Sequence, residues 1–549
     1  MYSRYIKDMK RRIFHYKYEL ILFIVTGLLL FSGLDKIEVN IMEARNFITA
    51  REMVQNNEYL LTTLNGEPRY QKPPLPTWLT ALAGSIFGFD SLFALRVPVV
   101  LITFLLVFTF FFFSKELGLS TKHSFYNSVI LITSFYIFFA GRDNQWDMYT
   151  HSFMFVSIYF LWKVLKENKN LLLNSMLSGI FLGFSILSKG PVSFYALFLP
   201  FLFSYIINYR TTLKGKGIYL LQMVLLGLVI GLSWFIYVRL NDSEYFRIIA
   251  TREISNWNNY EVKPFYYYWN FFIQSGLWTV PSLISLVYPY LRKRVCDLRA
   301  YRFAILWTII SVILLSAIPE KKVRYLVPAL IPLALTTGFY IDYLLKSFGH
   351  GTTKSENILV YISYGIIALV GITYPFVLFF LLKEGLKDHL FIYVLSSFLI
   401  LVCSFLIVKG LTRHDFGKVF RASIAIFIII VIGALPMSGE FFTNPNYASA
   451  GKAREIEKQL KINTYRLTDI APEIVWDFGK PIPIYPPQNN TSIPDDKRFG
   501  LIVNIEDSTR LQSIFPSHNF SKLYRINMNY RQSKKNRLIK DYYLVSAKN

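Results

Sequence analysis

Residues 41–78 read IMEARNFITAREMVQNNEYLLTTLNGEPRYQKPPLPTW. The stretch is charged and turn-rich, yet runs apolar enough to enter a bilayer flank it. Long ordered connectors tend to be functional, so a simple spacer is the weaker reading. Glu43 and Arg45 open an amphipathic helix whose apolar residues Ala44, Phe47, Ile48 and Val54 suit the bilayer surface. Arg69, Tyr70 and Lys72 follow a Gly66/Pro68 turn, and Pro73, Pro74 and Pro76 stiffen the return to the next apolar run. An acid, several cations and an aromatic ring are thereby held at one interface. The plainer alternative is a snorkelling helix with solvated charges.

Around that stretch, the chain of 549 residues is 53% hydrophobic and 17% aromatic, with a mean hydropathy of +0.36. Apolar runs of membrane-spanning length recur along most of it, which excludes a soluble globule. The formal charge of +24 does not point to nucleic acid, because Lys and Arg cluster in short loops between apolar runs. Cys296 lies in a basic loop and Cys403 in an apolar run, so no disulfide framework is expected. The first apolar run, Leu20 to Leu34, has no clear small-residue cleavage site and reads as a retained anchor.

The hydropathy pattern predicts spans near 19–35, 92–113, 125–141, 146–163, 171–188, 191–208, 218–239, 266–290, 303–319, 325–345, 357–382, 390–409 and 419–437. Segment 76–88 is expected to be re-entrant or interfacial. The expected fold is thus an all-α polytopic membrane protein of about 13 transmembrane helices, residues 1–439, whose loop 36–77 faces outward. The start carries Arg4, Lys7, Lys10, Arg11, Arg12 and Lys17 and belongs in the cytoplasm. The intervening cytoplasmic loops are basic too, and LRKRVCDLRAYR at 291–302 carries five Lys or Arg. This parity puts the chemically interesting loops on one side. After Pro436 the chain turns polar, and residues 440–549 read as a small soluble α/β domain on the outer face. It has a short helix at Ala453–Leu460 and strands at Phe499–Ile505 and Asp541–Val545.

Four further loops on that side carry candidate chemistry. GRDNQWDMYTH places Asp143, Asp147 and His151 four residues apart, on one helical face if the helix begins early. Asp147 is then a general base or a ligand for substrate, unless it caps the helix. The trio is also a lesser candidate for a divalent metal. Lys189 in LSKGPVS lies between two apolar spans, where an ionisable side chain is a functional candidate by default. REISNWNNYEVKPFYYYW supplies Arg252, Glu253 and Lys263 beside a Trp/Tyr belt that serves first as an interfacial anchor. IPEKKVRYLVP packs Lys321, Lys322, Arg324 and Tyr325 at a helix mouth. Clustered cations in a cleft of low dielectric favour an anion, and phosphate accepts several charge-assisted hydrogen bonds.

Together these stretches resemble the C-type membrane glycosyltransferases, in the bacterial branch akin to protein mannosyltransferases and to the aminoarabinose transferase acting on lipid A. The resemblance covers roughly residues 20–345. It rests on MEARNFITAREM followed by LNGEPRYQKPPLPTW, with ALRVP at 94–98, GRDNQWDM, LSKGP and KKVRYLVPALIP in support. It implies a polyprenyl-phosphate sugar donor, work on the outer face, and an acceptor that is lipid A, another glycan or a protein. It also implies Glu43 near the reacting centre. Arg45, Tyr70, Lys72 and Lys189 would bind the donor phosphate, with Lys321, Lys322 and Arg324 as further cations. Tyr325 would lie near the sugar. Apart from the resemblance, the charged loops offer Asp143 and Arg252 as substrate contacts. The family usually has Asp before the Glu of its first motif; Met42 stands there in this chain, which raises the weight on Asp147, with Glu43 still the favoured base.

A glycosyl phosphate already carries a good leaving group, so cations that stabilise the departing phosphate remove the need for an acid. A carboxylate opposite orients and deprotonates the acceptor hydroxyl, which gives inversion. No cofactor is required by this chemistry, and no nucleotide-binding glycine pattern is present. Two other readings share the composition. A flippase or transporter of lipid-linked sugars would place its ionisable residues at mid-membrane. A non-catalytic envelope scaffold would need none of them.

Overall fold

Glycines at four-residue spacing bring two apolar helices together in the computed structural model, which describes residues 16–209, 213–441, 444–485, 498–531 and 534–548. Helix Leu171–Lys189 carries Gly179 and Gly183, and helix Gly217–Asn241 carries Gly227 and Gly231. A Cβ on Gly183 would stand 2.5 Å from the Cβ of Ile230, and one on Gly227 would stand 2.6 Å from a Leu182 methyl. In lipid, helices gain contact by such close approach rather than by the hydrophobic effect.

Helix Leu171–Lys189 also packs on Trp146–Lys166, here through hydroxyl groups. Ser157 donates to the Ser178 carbonyl at 2.8 Å and Ser178 to the Ser157 carbonyl at 2.9 Å. Thr150 and Ser185 repeat the exchange at 3.0 and 2.7 Å. The two rungs are seven residues apart on each antiparallel helix. Continuing the ladder by one more turn brings Asp147 level with Lys189.

Among the described residues, eight helices are long and apolar enough to cross a membrane. They are Leu92–Glu116, Leu171–Lys189, Gly217–Asn241, Leu298–Ala317, Val323–Ser347, Lys354–Leu382, Leu390–Thr412 and Phe416–Ala434. The chain is a multi-pass membrane protein. Of the other expected spans, Lys17–Phe31 is a helix of 15 residues and Trp146–Lys166 one of 21. The segment expected at 125–141 divides into Thr121–Thr133 and Phe135–Ala140. That expected at 191–208 starts as a π-helical turn, Phe194–Phe198, and continues as Leu199–Asn208. Residues 266–290, expected as one span, are instead short pieces: 3₁₀ turns Phe265–Tyr268 and Phe271–Trp278, then helices Thr279–Ser285 and Tyr288–Leu291. Gly276, at φ +59°, breaks the run; its missing Cβ makes room for the Phe135 ring, 2.1 Å from where that atom would sit. The basic start of the chain lies outside the described residues, except for Lys17.

The described residues form two compact units. The first draws on residues 16–34, Gln71–Leu75 and Arg96–Met437. In it, two arginines of the sequence motifs close the end of helix Lys17–Phe31. Arg142 donates to the carbonyls of Leu29 (2.6 Å), Leu30 (3.0 Å) and Ser32 (2.6 Å), and Arg96 donates to that of Leu34 (2.7 Å). Carbonyls at a helix end have no intrahelical partner, so buried cations are well placed there.

The second unit draws on Asp35–Tyr70, Pro76–Leu95 and Ser438–Asn549. Its helix Ile41–Asn56 is capped by Asn40, which accepts from the Met42 and Glu43 amides at 2.8 and 3.2 Å. The next turn is a two-residue hairpin between β1 (Thr63–Leu64) and β2 (Glu67–Pro68). Its centre is Asn65-Gly66, both at positive φ, the pair that a type I′ turn selects. Glu52 ties the hairpin to the helix, accepting from Thr63 Oγ1 at 2.6 Å and from the Asn65 amide at 2.8 Å. The C-terminal segment adds a four-stranded sheet of β3 (Thr464–Arg466), β4 (Arg498–Val503), β5 (His518–Asn527) and β6 (Ile539–Ala547), in the order β3-β4-β6-β5. β3 runs parallel to β4, and the other pairs are antiparallel.

The amphipathic helix is not free to lie on a bilayer with its apolar face. Ile48 is buried with Ile474, Phe478, Ile502 and Tyr542 of the C-terminal segment, and the Phe47 ring packs 5.2 Å from that of Trp476. Helix Pro472–Phe478, with Ile502 and Tyr542 of the sheet behind it, supplies the apolar partner that the sequence pattern assigned to lipid. Segment 76–88 forms helix Leu75–Phe87, which packs Ala81 and Trp78 against Ala50 and Met53 of the same amphipathic helix.

Candidate functional site

In the first unit, Asp147 sits in the first turn of helix Trp146–Lys166, and Lys189 is the last residue of Leu171–Lys189. The hydroxyl ladder sets both positions. Lys189 Nζ donates to Asp147 Oδ1, and both side chains are buried. A buried ion pair is weak evidence for stability, since desolvation offsets most of the attraction. It persists where geometry or function demands it. Lys189 also lies 4.9 Å from the Tyr325 ring centroid, and Arg324 lies 5.6 Å from the same centroid. Arg324 and Lys72 both bear electrostatically on Lys189. Buried Asp147 Oδ2 and Arg324 Nε accept or donate no hydrogen bond among the described residues. An unsatisfied oxygen and an unsatisfied N–H beside one ion pair suit a ligand that brings both an acceptor and a donor.

The loop before helix Val327–Ser347 is fixed from two sides. Lys263 donates its amide to the Pro319 carbonyl at 3.2 Å, and Lys321 donates its amide to the Glu261 carbonyl at 3.1 Å. Lys321 Nζ donates to the carbonyls of Ile318 (2.5 Å) and Lys263 (3.0 Å), with that of Pro319 at 3.5 Å. Burial lowers the Lys321 pKa. Its ammonium is thus held by backbone carbonyls of the loop. Lys322 pairs with Glu320 at 2.5 Å and lies 4.5 Å from the Tyr260 centroid. Tyr325 Oη also donates to Glu320, at 3.1 Å. Lys72 pairs with Glu253 at 3.4 Å. Glu320 was not among the expected site residues, and Glu253 was noted only as a charge of its loop. They hold two of the cations, and the charge density of PEKK was the only signal for Glu320.

Other expected residues fall elsewhere. Asp143 lies outside the helix and accepts from Gln145 Nε2 at 2.5 Å, so Asp143, Asp147 and His151 do not form a helical face. His151 Nδ1 instead meets Ser193 Oγ at 3.0 Å. Among the described residues this trio does not gather as a metal site. Arg252 is exposed on helix Ser243–Asn259.

Glu43, Arg45 and Tyr70 belong to the second unit. Glu43 and Tyr70 are buried, and Arg45 is half-buried, with Nη1 4.0 Å from Met42 Sδ. Beside them Arg69 donates to Thr49 Oγ1 at 3.1 Å. Burial, and then the nearby Arg45, push Arg69 down to about 9, which still leaves it protonated at neutral pH.

Residues 71–237 match the family model described as dolichyl-phosphate-mannose-protein mannosyltransferase. An undecaprenyl phosphate-alpha-4-amino-4-deoxy-L-arabinose arabinosyl transferase of Pseudomonas aeruginosa (strain LESB58) is 24% identical over 348 residues, 60% of each chain. A Pseudomonas fluorescens (strain Pf-5) protein of the same name, numbered 2, is 23% identical over 346 residues, 60% of this chain and 57% of that one. The matched part thus spans about three-fifths of these relatives' length. The crystal structure of ArnT from Cupriavidus metallidurans bound to undecaprenyl phosphate superposes with a TM-score of 0.69 at 15% identity, covering 96% of this chain and 98% of that one. Its apo form gives 0.68 at 14% identity, with 97% and 98% covered. The fold is that of the C-type glycosyltransferases, and the chain resembles their bacterial branch of protein mannosyltransferases and aminoarabinose transferases.

Proposed function

We propose that this protein is an inverting glycosyltransferase that moves a sugar from a polyprenyl-phosphate donor to an envelope acceptor, lipid A, a glycan or a protein, on the outer face of a bacterial inner membrane. The observation that carries this reading is the buried Asp147–Lys189 pair, set beside Arg324 and Tyr325 at the ends of membrane helices. Nothing in a purely structural bundle requires so many ionisable groups there. Undecaprenyl phosphate, bound in the ArnT structure of the same fold, supports the donor class.

The donor phosphate competes with Asp147 for Lys189. An ammonium has three donors, so Lys189 can turn part of its charge to phosphate oxygens while Arg324 and Lys72 supply more. As Lys189 turns, Asp147 loses its partner and becomes a better base. It then accepts the acceptor hydroxyl's proton as the oxygen attacks the anomeric carbon and the C–O bond to phosphate breaks. The phosphate leaves as a dianion among cations. Glu43, which the family resemblance suggests for the reacting centre, is the second candidate base. A divalent metal has no role in this scheme.

The test is transfer in proteoliposomes, with a polyprenyl-phosphate sugar and an envelope lipid extract. The reading expects sugar on an acceptor and free polyprenyl phosphate in equal amounts. Translocation of the donor without transfer would identify a flippase instead.

A further inference from the structure

Helix Val327–Ser347 begins beside the Tyr325 cluster and carries, near its other end, a different chemistry. Asp342 is 17 residues beyond Tyr325, which is about 25 Å at the rise of an α-helix. There His123, Cys296 and Asp342 converge from three elements. His123 lies in the first turn of Thr121–Thr133, Cys296 just before helix Leu298–Ala317, and Asp342 one turn from the end of its own helix. Cys296 Sγ is 3.7 Å from His123 Nδ1, and Asp342 Oδ2 is 3.8 Å from the same nitrogen. One ligand atom from each lies within 4.8 Å of the others. They are the only such group of three His, Cys, Asp or Glu among the described residues.

We infer that His123, Cys296 and Asp342 form a binding site for a divalent cation of the zinc class. Zinc takes thiolate, imidazole and carboxylate ligands at about 2.0–2.3 Å, so neighbouring donors of a tetrahedral site stand about 3.3–3.8 Å apart. Two of the three edges here have that length before any ion draws them in. A mixed sulfur, nitrogen and oxygen set fits zinc or cobalt and fits poorly the all-oxygen preference of magnesium and calcium. The His123 side chain is nine-tenths buried or more, with Nε2 accepting or donating no hydrogen bond, and the ring packs edge-on to Phe339 with centroids 5.0 Å apart. The imidazole is thus held in place with Nδ1 towards the thiol and the carboxylate.

Lys346 competes for the site, pairing with Asp342 Oδ2 at 2.6 Å. Its side chain is 61% exposed and can swing into solvent. Metal binding converts the Cys296 thiol to a thiolate and releases one proton to solvent, while the Lys346 ammonium leaves the carboxylate. A water completes the fourth position. The bound ion would pin the basic loop at 291–297 to two helices, independently of Asp147 and Lys189.

The test uses the full-length protein in nanodiscs, stripped with chelator and titrated with cobalt(II) alone. A site of this kind gives visible d–d bands and a thiolate-to-metal charge-transfer band that saturate at one equivalent, with release of one proton per ion. Zinc bleaches both bands. Cys296→Ser abolishes the charge-transfer band, His123→Ala and Asp342→Asn weaken binding at least tenfold, and Cys403→Ser changes nothing. Lys346→Ala strengthens binding and, on an exposed side chain, leaves folding intact. Absence of bands in the unmodified protein would overturn the proposal. So would a charge-transfer band that survives in Cys296→Ser, or cobalt affinity unmoved in Lys346→Ala.

Discussion

At the residue scale the proposed chemistry rests on Asp147 and Lys189, each buried against the other. Removing one partner leaves the other charge uncompensated, at a cost on the order of 3–5 kcal/mol. We therefore expect Lys189→Met and Asp147→Asn each to lower the thermal midpoint, and the double variant to recover most of that loss. Turnover should not recover with it. Loss of a general base lowers turnover by about 10²–10⁴-fold, and the double variant should stay at that level. A double variant active near the normal rate would leave the pair with a structural role only. Donor affinity separates the two side chains. Lys189→Met should weaken it by on the order of 1.5–3 kcal/mol, the worth of a charged hydrogen bond. Asp147→Asn should leave it equal or tighter, since Lys189 is then free for phosphate. Equilibrium binding of polyprenyl phosphate measures both.

At the scale of elements, the glycine contacts hold Leu171–Lys189 in the register that delivers Lys189. Gly183→Leu drives a side chain into Ile230, already 2.5 Å from where a Cβ would stand. Its expected effects are a lower thermal midpoint and lost turnover, with Gly365→Leu, which meets nothing within 4 Å, as the silent control. In the sheet, Asp541 on β6 accepts from Arg525 at 2.8 and 3.2 Å and pairs with Lys522 at 2.8 Å. Burial raises its pKa, but the bonds and charges of those two cations outweigh burial and leave it lowered. A carboxylate lowered on folding stabilises above its unfolded pKa and loses that stability as pH falls through the folded one. Unfolding of the second unit should therefore grow easier below the ordinary carboxylate range, and Asp541→Asn should flatten that dependence. An unchanged acid profile in the variant would assign the effect to other groups.

For the whole molecule, hydropathy located helices well where runs were long and uninterrupted, and poorly where backbone geometry intervened. Residues 266–290 are apolar enough for a span, but Gly276 and two prolines divide them. The apolar face of Ile41–Asn56 has the periodicity of a membrane-surface helix, and periodicity does not say whether lipid or protein covers it. The covering residues, Ile474 and Trp476, are more than 400 positions away. The Asn65-Gly66 hairpin was open to reading from its two-residue signature, and only its turn was seen. Asp147 and Lys189 each stood out as ionisable residues beside apolar runs, but their pairing depends on a ladder of Ser and Thr that carries no charge signal. The proposed topology can be checked directly: reporters fused at Lys214 and at Lys461 should report opposite sides of the membrane, and a shared side would contradict it. The central claim, that the chain transfers a sugar through Asp147 and Lys189, meets its most direct test in mass spectrometry of envelope lipids and glycans. Cells with the unmodified protein should carry one glycosyl unit that is missing from cells whose only copy is Asp147→Asn at equal protein level. Identical envelopes in the two would contradict the account.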